Sequence, residues 1–106
     1  MQLLCYNNKK NYEVIILKRY IINFTGKVQG VGFRYFCQMN ALKYSLLGSA
    51  KNLDNGSVEV IVQGNLDDIK LFLKDVKKGN RFINIKDYSI NEIPLDSTLK
   101  NFNIAY

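Results

Sequence analysis

The chain has 106 residues, 15 basic and 9 acidic side chains, and no histidine. That length holds one domain, and an apolar fraction of 47% with 12% aromatics is globular rather than disordered. Without histidine there is no Ser-His-Asp or Cys-His nucleophile pair, no imidazole base and no histidine metal ligand. No apolar run approaches the roughly 20 residues a spanning helix needs, and the first residues lack the order of a signal peptide. The two cysteines, Cys5 and Cys37, are too few for a disulfide framework or a four-thiolate zinc site. A reduced, cytoplasmic protein is expected, with no membrane partner.

The net charge of +6 is uneven: residues 1–51 hold 8 basic and 1 acidic side chains, residues 52–106 hold 7 and 8. An excess of this kind attracts anions, although lysine on a solvated surface accounts for most of it. Residues 1–12 are polar and without clear periodicity, and read as a mobile extension. We therefore divide the chain into an extension over 1–18 and a domain over 19–106. Val14 to Leu17 is an apolar run able to lengthen the strand that follows. From Arg19 to Thr25, Tyr20, Ile22 and Phe24 alternate with their neighbours as in a strand, and Gly26 is read as its stop.

A glycine-punctuated loop, Lys27 to Arg34, leads into a helix expected over about Phe33 to Leu46, with Phe33, Cys37, Ala41 and Tyr44 on one face and Gly48 ending it. Ser49 to Leu53 reads as extended, Asp54-Asn55-Gly56 as a tight turn, and Ser57 to Gln63 as the returning strand. A second helix is expected over Leu66 to Lys78. Asn65 would cap it, Asp67 and Asp68 suit its positive end, and Gly79 stops it. Phe82 to Ile90 reads as another strand, interrupted by Pro94, and Leu99 to Tyr106 as the last. This order predicts an α+β, ferredoxin-like βαββαβ sandwich: an antiparallel sheet with two helices on one face.

The chemistry concentrates in Gly30-Val31-Gly32-Phe33-Arg34, where a strand hands over to a helix. Two glycines let backbone N–H groups converge on one point, the helix start adds unpaired donors, and Arg34 offers a planar fork to two oxygens of one phosphate. No G-x-x-x-x-G-K-[ST] or dinucleotide fingerprint is present. Cys37 lies inside the helix and reads as a small core residue rather than a nucleophile.

Gly26-Lys27-Val28-Gln29-Gly30-Val31-Gly32-Phe33-Arg34 resembles the signature G-x-V-Q-G-V-G-F-R of the acylphosphatase family. Tyr35-Phe36, Gly48-Ser49-Ala50-Lys51-Asn52, Asp54 to Val60 and the closing Phe102-Asn103-Ile104 extend the resemblance over roughly Arg19 to Tyr106. Ser49 stands where the family usually has an aromatic residue. The resemblance implies hydrolysis of small, anionic acyl phosphates to carboxylate and inorganic phosphate, without metal or cofactor. It implies that Arg34 and the loop Gln29, Gly30, Val31, Gly32 and Phe33 bind the phosphoryl oxygens, and that Asn52 orients the attacking water. A monomer is expected. The alternatives are an acylphosphatase-like module acting on carbamoyl phosphate, a phosphate binder without turnover, and an RNA-binding module of the same element order. The last fits poorly, because the strand Ser57 to Gln63 has no aromatic residue to stack on a base, so no nucleic-acid partner is expected.

Overall fold

The computed structural model describes residues 2–6 and 12–106, with side chains from residue 14 onward. Its elements run β1 (Gln2–Tyr6), β2 (Tyr12–Lys27), α1 (Phe33–Lys43), β3 (Leu47–Asn52), β4 (Val58–Asn65), α2 (Leu66–Lys78), β5 (Asn84–Ile93) and β6 (Phe102–Ala105). Of the segment read as a mobile extension, residues 2–6 form β1, while 1 and 7–11 lie outside the described residues.

The domain sheet has the order β5-β2-β4-β3-β6, and β1 pairs with the first residues of β2. All pairings are antiparallel except β3 with β6, which is parallel, so the sheet is mixed. A parallel neighbour needs a long connection rather than a hairpin, and the route from β5 to β6 supplies one. That connection is tied down at one end of the sheet. Gln63 donates to the Asp96 carbonyl at 3.0 Å and accepts from the Asp96 N–H at 2.8 Å, and Arg19 donates to the Pro94 carbonyl at 3.2 Å. The parallel register, Lys51 opposite Ala105, brings the ends of β3 and β6 together at the other end.

Both helices contact each other, α1 lying on β3 and β6 and α2 on β4 and β2. Between sheet and helices sits the core. Ile22 and Phe24 of β2, and Val58, Val60 and Val62 of β4, point inward at every second position, as strand geometry requires. From the helices come Phe33, Cys37 and Ala41, and Ile69, Phe72 and Val76. Burial pushes the Cys37 thiol far above its ordinary pKa, which keeps it protonated and inert. None of the helices among the described residues is long and apolar enough to cross a membrane.

The second helix runs over Leu66–Lys78 as expected, and the Asn65 side chain accepts from the Asp67 N–H at 3.4 Å. Of the element boundaries that differ from the sequence reading, three do so for a clear local reason. Strand β2 does not stop at Gly26: it bulges there and continues to Lys27. A Cβ at Gly26 would sit 2.3 Å from the Asn84 carbonyl oxygen, so the glycine admits β5 rather than ending the strand. Helix α1 ends at Lys43, before Leu46, because Ser45 takes a left-handed conformation (φ 55°) and the Leu46 N–H closes back on the Ala41 carbonyl at 2.9 Å. Strand β5 begins at Asn84, since the Asn80 side chain accepts from the N–H groups of Phe82 (2.8 Å) and Ile83 (3.1 Å) and holds both in a turn.

Candidate active site

The loop after β2, the first turn of α1, the end of β3 and the end of β6 meet around a cavity of about 340 Å³. It is lined by Val28, Gly30, Gly32, Phe33, Arg34 and Tyr35, with Asn52, Ile104 and Tyr106. The loop that carries the glycines crosses from Lys27 to the start of α1 at Phe33. Gly30 and Gly32 have φ of 72° and 77°, in the left-handed region that side chains disfavour. A Cβ on either would meet no atom within 4 Å, so their conformation, and not crowding, calls for glycine.

Gly32 is the N-cap of α1 and brings no side-chain cap, and the first turn carries no acidic residue. The first ladder bond runs from the Phe36 N–H to the Gly32 carbonyl at 3.0 Å. The N–H groups of Phe33, Arg34 and Tyr35 precede that bond, and the helix offers them no carbonyl. The start of α2 is the contrast: it has a capping asparagine and two aspartates. The positive end of α1 is thus left for an anion from outside the helix.

Arg34 is half-buried and its Nη1 donates to the Ala105 carbonyl at 3.2 Å. Its guanidinium carbon lies 4.9 Å from the Tyr106 ring centroid, a cation–π distance. These contacts fix the guanidinium from the β6 side. Asn52 is the last residue of β3, and its Oδ1 is buried without a hydrogen-bond partner. Such atoms are rare in folded proteins because each forfeits its water. Arg19 Nε and Asn23 Oδ1 share that condition among the described residues, but Asn52 is the one of the three that lines the cavity.

The structure brings together Arg34, Asn52, Gly30, Gly32 and Phe33 from the residues singled out in the sequence. Gln29 and Val31 are not among the lining residues. The Gln29 side chain turns away and donates to the carbonyls of Leu53 and Ser57, both at 2.8 Å, tying the loop to the β3–β4 turn. Val31 packs against the core. Ser49 is half-buried in mid-β3, opposite Ile61 and Asn103, away from the cavity lining. Sequence reasoning gave no role to Tyr106, although the alternation Phe102, Ile104, Tyr106 already placed the three on one side of the last strand.

Fold and site together define an α+β sandwich of the ferredoxin-like type, with its cavity at an uncapped helix start. The model of the acylphosphatase family matches residues 20–104. The acylphosphatase of Clostridium acetobutylicum is 41% identical over 91 residues, spanning 86% of this chain and 100% of that protein. The acylphosphatase of Clostridium beijerinckii is 47% identical over 88 residues, 83% of this chain and 98% of that one. The crystal structure of acylphosphatase from Bacillus subtilis superimposes with a TM-score of 0.80 at 41% identity, over 86% of this chain and 100% of that chain. The chain belongs to the acylphosphatase family, a family of enzymes.

Proposed function

We propose that the chain hydrolyses the carboxyl–phosphate bond of small acyl phosphates, with the phosphoryl group held by the Gly30–Arg34 loop and attacked by a water held on Asn52. The observation that carries this reading is the buried, unpartnered Oδ1 of Asn52, which shares one cavity with Arg34 and the uncapped start of α1. An asparagine oxygen accepts a hydrogen bond and removes no proton. It suits a group that positions a water rather than one that deprotonates it.

The chemistry agrees with such modest equipment. The leaving group is a carboxylate, stable enough to depart without a strong acid beside it. The water oxygen bonds to phosphorus as the bond from phosphorus to the acyl oxygen breaks. A phosphoryl oxygen takes the proton that the water loses, and the products are carboxylate and inorganic phosphate. The main tasks left to the protein are alignment and charge stabilisation on the phosphoryl oxygens. Arg34 offers two donors to those oxygens, and backbone N–H groups from Gln29 to Arg34 offer the rest. Gln29 takes part through its main chain, since its side chain is engaged elsewhere.

The test is the rate of hydrolysis of benzoyl phosphate and acetyl phosphate, with inorganic phosphate as inhibitor and with a chelator present. Turnover by the native chain is expected to survive the chelator. Arg34→Ala is expected to lose phosphate inhibition and turnover together. Asn52→Ala is expected to lower kcat by about 100-fold or more, the scale of a lost transition-state contact, with phosphate inhibition little changed. A full rate in Asn52→Ala removes the water-holding role, and no turnover by the folded native chain removes the activity.

A further inference from the structure

We propose that the lysine face of α2 docks on an anionic lipid surface, with Lys70, Lys74 and Lys78 on the headgroups and Leu71 reaching the first acyl carbons. The charges of α2 are sorted. Asp67 and Asp68 lie in its first turn, and Asp75 is turned to α1, where it accepts from Tyr44 and Lys43. Lys70, Lys74, Lys77 and Lys78 share another side, and with Leu73 they line a groove of about 370 Å³. Lys77 is engaged, its Nζ donating to the Tyr88 hydroxyl at 3.4 Å. Among the described residues, Lys70, Lys74 and Lys78 hold no partner in a hydrogen bond or an ion pair, and all three are exposed.

This arrangement destabilises the helix that carries it. Lys70 and Lys74, and again Lys74 and Lys78, stand four residues apart, the spacing at which like charges oppose a helix and opposite charges support it. The helix dipole favours Lys77 and Lys78 in the last turn, but not Lys70 and Lys74. An anionic surface relieves the repulsion. Leu71 indicates which kind of surface. It is 46% exposed, three residues before Lys74 and seven before Lys78, so the three lie along one side of the helix. A row of nucleic-acid phosphates uses the lysines and leaves Leu71 in water. A lipid layer takes both, with phosphates at its surface and apolar carbon below, and lysine stems reach across that boundary. The expectation of no membrane partner rested on the lack of a spanning run and of a signal segment, and a helix face that lies on the surface needs neither.

The experiment sediments the full chain with vesicles of phosphatidylglycerol and phosphatidylcholine in equal parts, and with vesicles of phosphatidylcholine alone. Binding to the anionic vesicles only is expected, and its loss in about 1 M salt, which screens charges beyond about 3 Å. Lys74→Gln combined with Lys78→Gln is expected to weaken binding about tenfold or more, since each lysine near such a surface is worth about fivefold. Lys51→Gln combined with Lys100→Gln removes the same net charge from other exposed places and is expected to leave binding nearly unchanged. Leu71→Ser is expected to weaken it with no change of charge. Thermal unfolding of each variant shows that it is folded. None of these residues lines the cavity, so the result is independent of the acyl phosphate reading. Absence of binding to anionic vesicles overturns the proposal. So does an equal loss in the Lys51 and Lys100 variant, which would mean net charge alone, and so does full binding by Leu71→Ser. Retention on a single-stranded oligonucleotide but not on vesicles, lost with Lys74 and Lys78, would give the face to nucleic acid instead.

Discussion

Gln29 shows how a residue can belong to a site without facing it. Its Nε2 donates to both the Leu53 and Ser57 carbonyls, and Asn52 immediately precedes Leu53. One side chain thus sets the distance between the loop that carries the glycines and the strand that carries the unpartnered oxygen. Gln29→Ala removes both donors from a half-buried place, and is expected to cost about 1–2 kcal/mol in urea unfolding and to lower kcat. Gln29→Glu should be worse than alanine at neutral pH, because it sets a carboxylate against two carbonyl oxygens. Its deficit should shrink as acid protonates the carboxyl and restores a donor. A glutamate variant as stable as native across that range would refute the tie. Arg34, Asn52 and the two glycines were legible in the sequence because their motif is local and its chemistry is specific. The side-chain partners of Gln29 were not, since the β3–β4 turn lies 24 to 28 residues further on and only folding brings it there. Tyr106 was hidden for the same reason, its contact with Arg34 depending on the parallel pairing of β3 with β6.

Among the elements, α2 could be read from sequence to its end residues because cap, charge order and apolar stripe all agree over Leu66–Lys78. The end of α1 could not, because Ser45 adopts the left-handed conformation that normally announces itself as glycine. The link between the helices was also invisible in sequence. The Tyr44 hydroxyl donates to Asp75 Oδ2 at 2.5 Å, and Lys43 Nζ donates to the same oxygen at 2.9 Å. The Tyr44 hydrogen bond foremost, and then that from Lys43, hold the Asp75 carboxyl below its ordinary pKa. A carboxyl lowered on folding stabilises the native state above its unfolded pKa, and that contribution is lost as pH falls through the folded value. Asp75→Asn keeps the shape and removes the charge. It is expected to lower Tm at pH 7, with a difference that stays constant while the pH is well above the ordinary aspartate pKa and closes as the pH falls through the lowered value of the folded state. A difference that persists unchanged into acid would mean that packing, and not the carboxylate, joins the helices.

At the scale of the whole molecule, the alternation of β2 and β4 and the two amphipathic helices sufficed to predict the sandwich. The parallel β6 was not predicted, because no local pattern distinguishes a parallel edge strand from an antiparallel one. The remaining question of architecture is how far the domain extends toward the start of the chain. Strand β2 begins at Tyr12, but its pairing with β4 starts at Leu17 and with β5 at Arg19, whereas residues 12–16 pair with β1. Val14 and Ile16 on this ribbon are exposed, and the family model begins at residue 20. A two-stranded ribbon is marginal in water by itself and draws its order from the sheet, not the reverse. The core residues Ile22 and Phe24, the cavity and Asn52 all lie beyond residue 18. We therefore expect a chain of residues 19–106 to fold, to unfold in one transition within a few degrees of the full chain, and to keep kcat/KM for benzoyl phosphate within about twofold. The small loss of stability would come from Leu17 and from the exposed Lys18–Glu92 pair, whose worth in water is slight. Thermal unfolding and steady-state rates of the two chains side by side decide it. A shortened chain that folds but loses turnover would make residues 1–18 part of the catalytic domain, and one that fails to fold would make the ribbon part of its structural foundation.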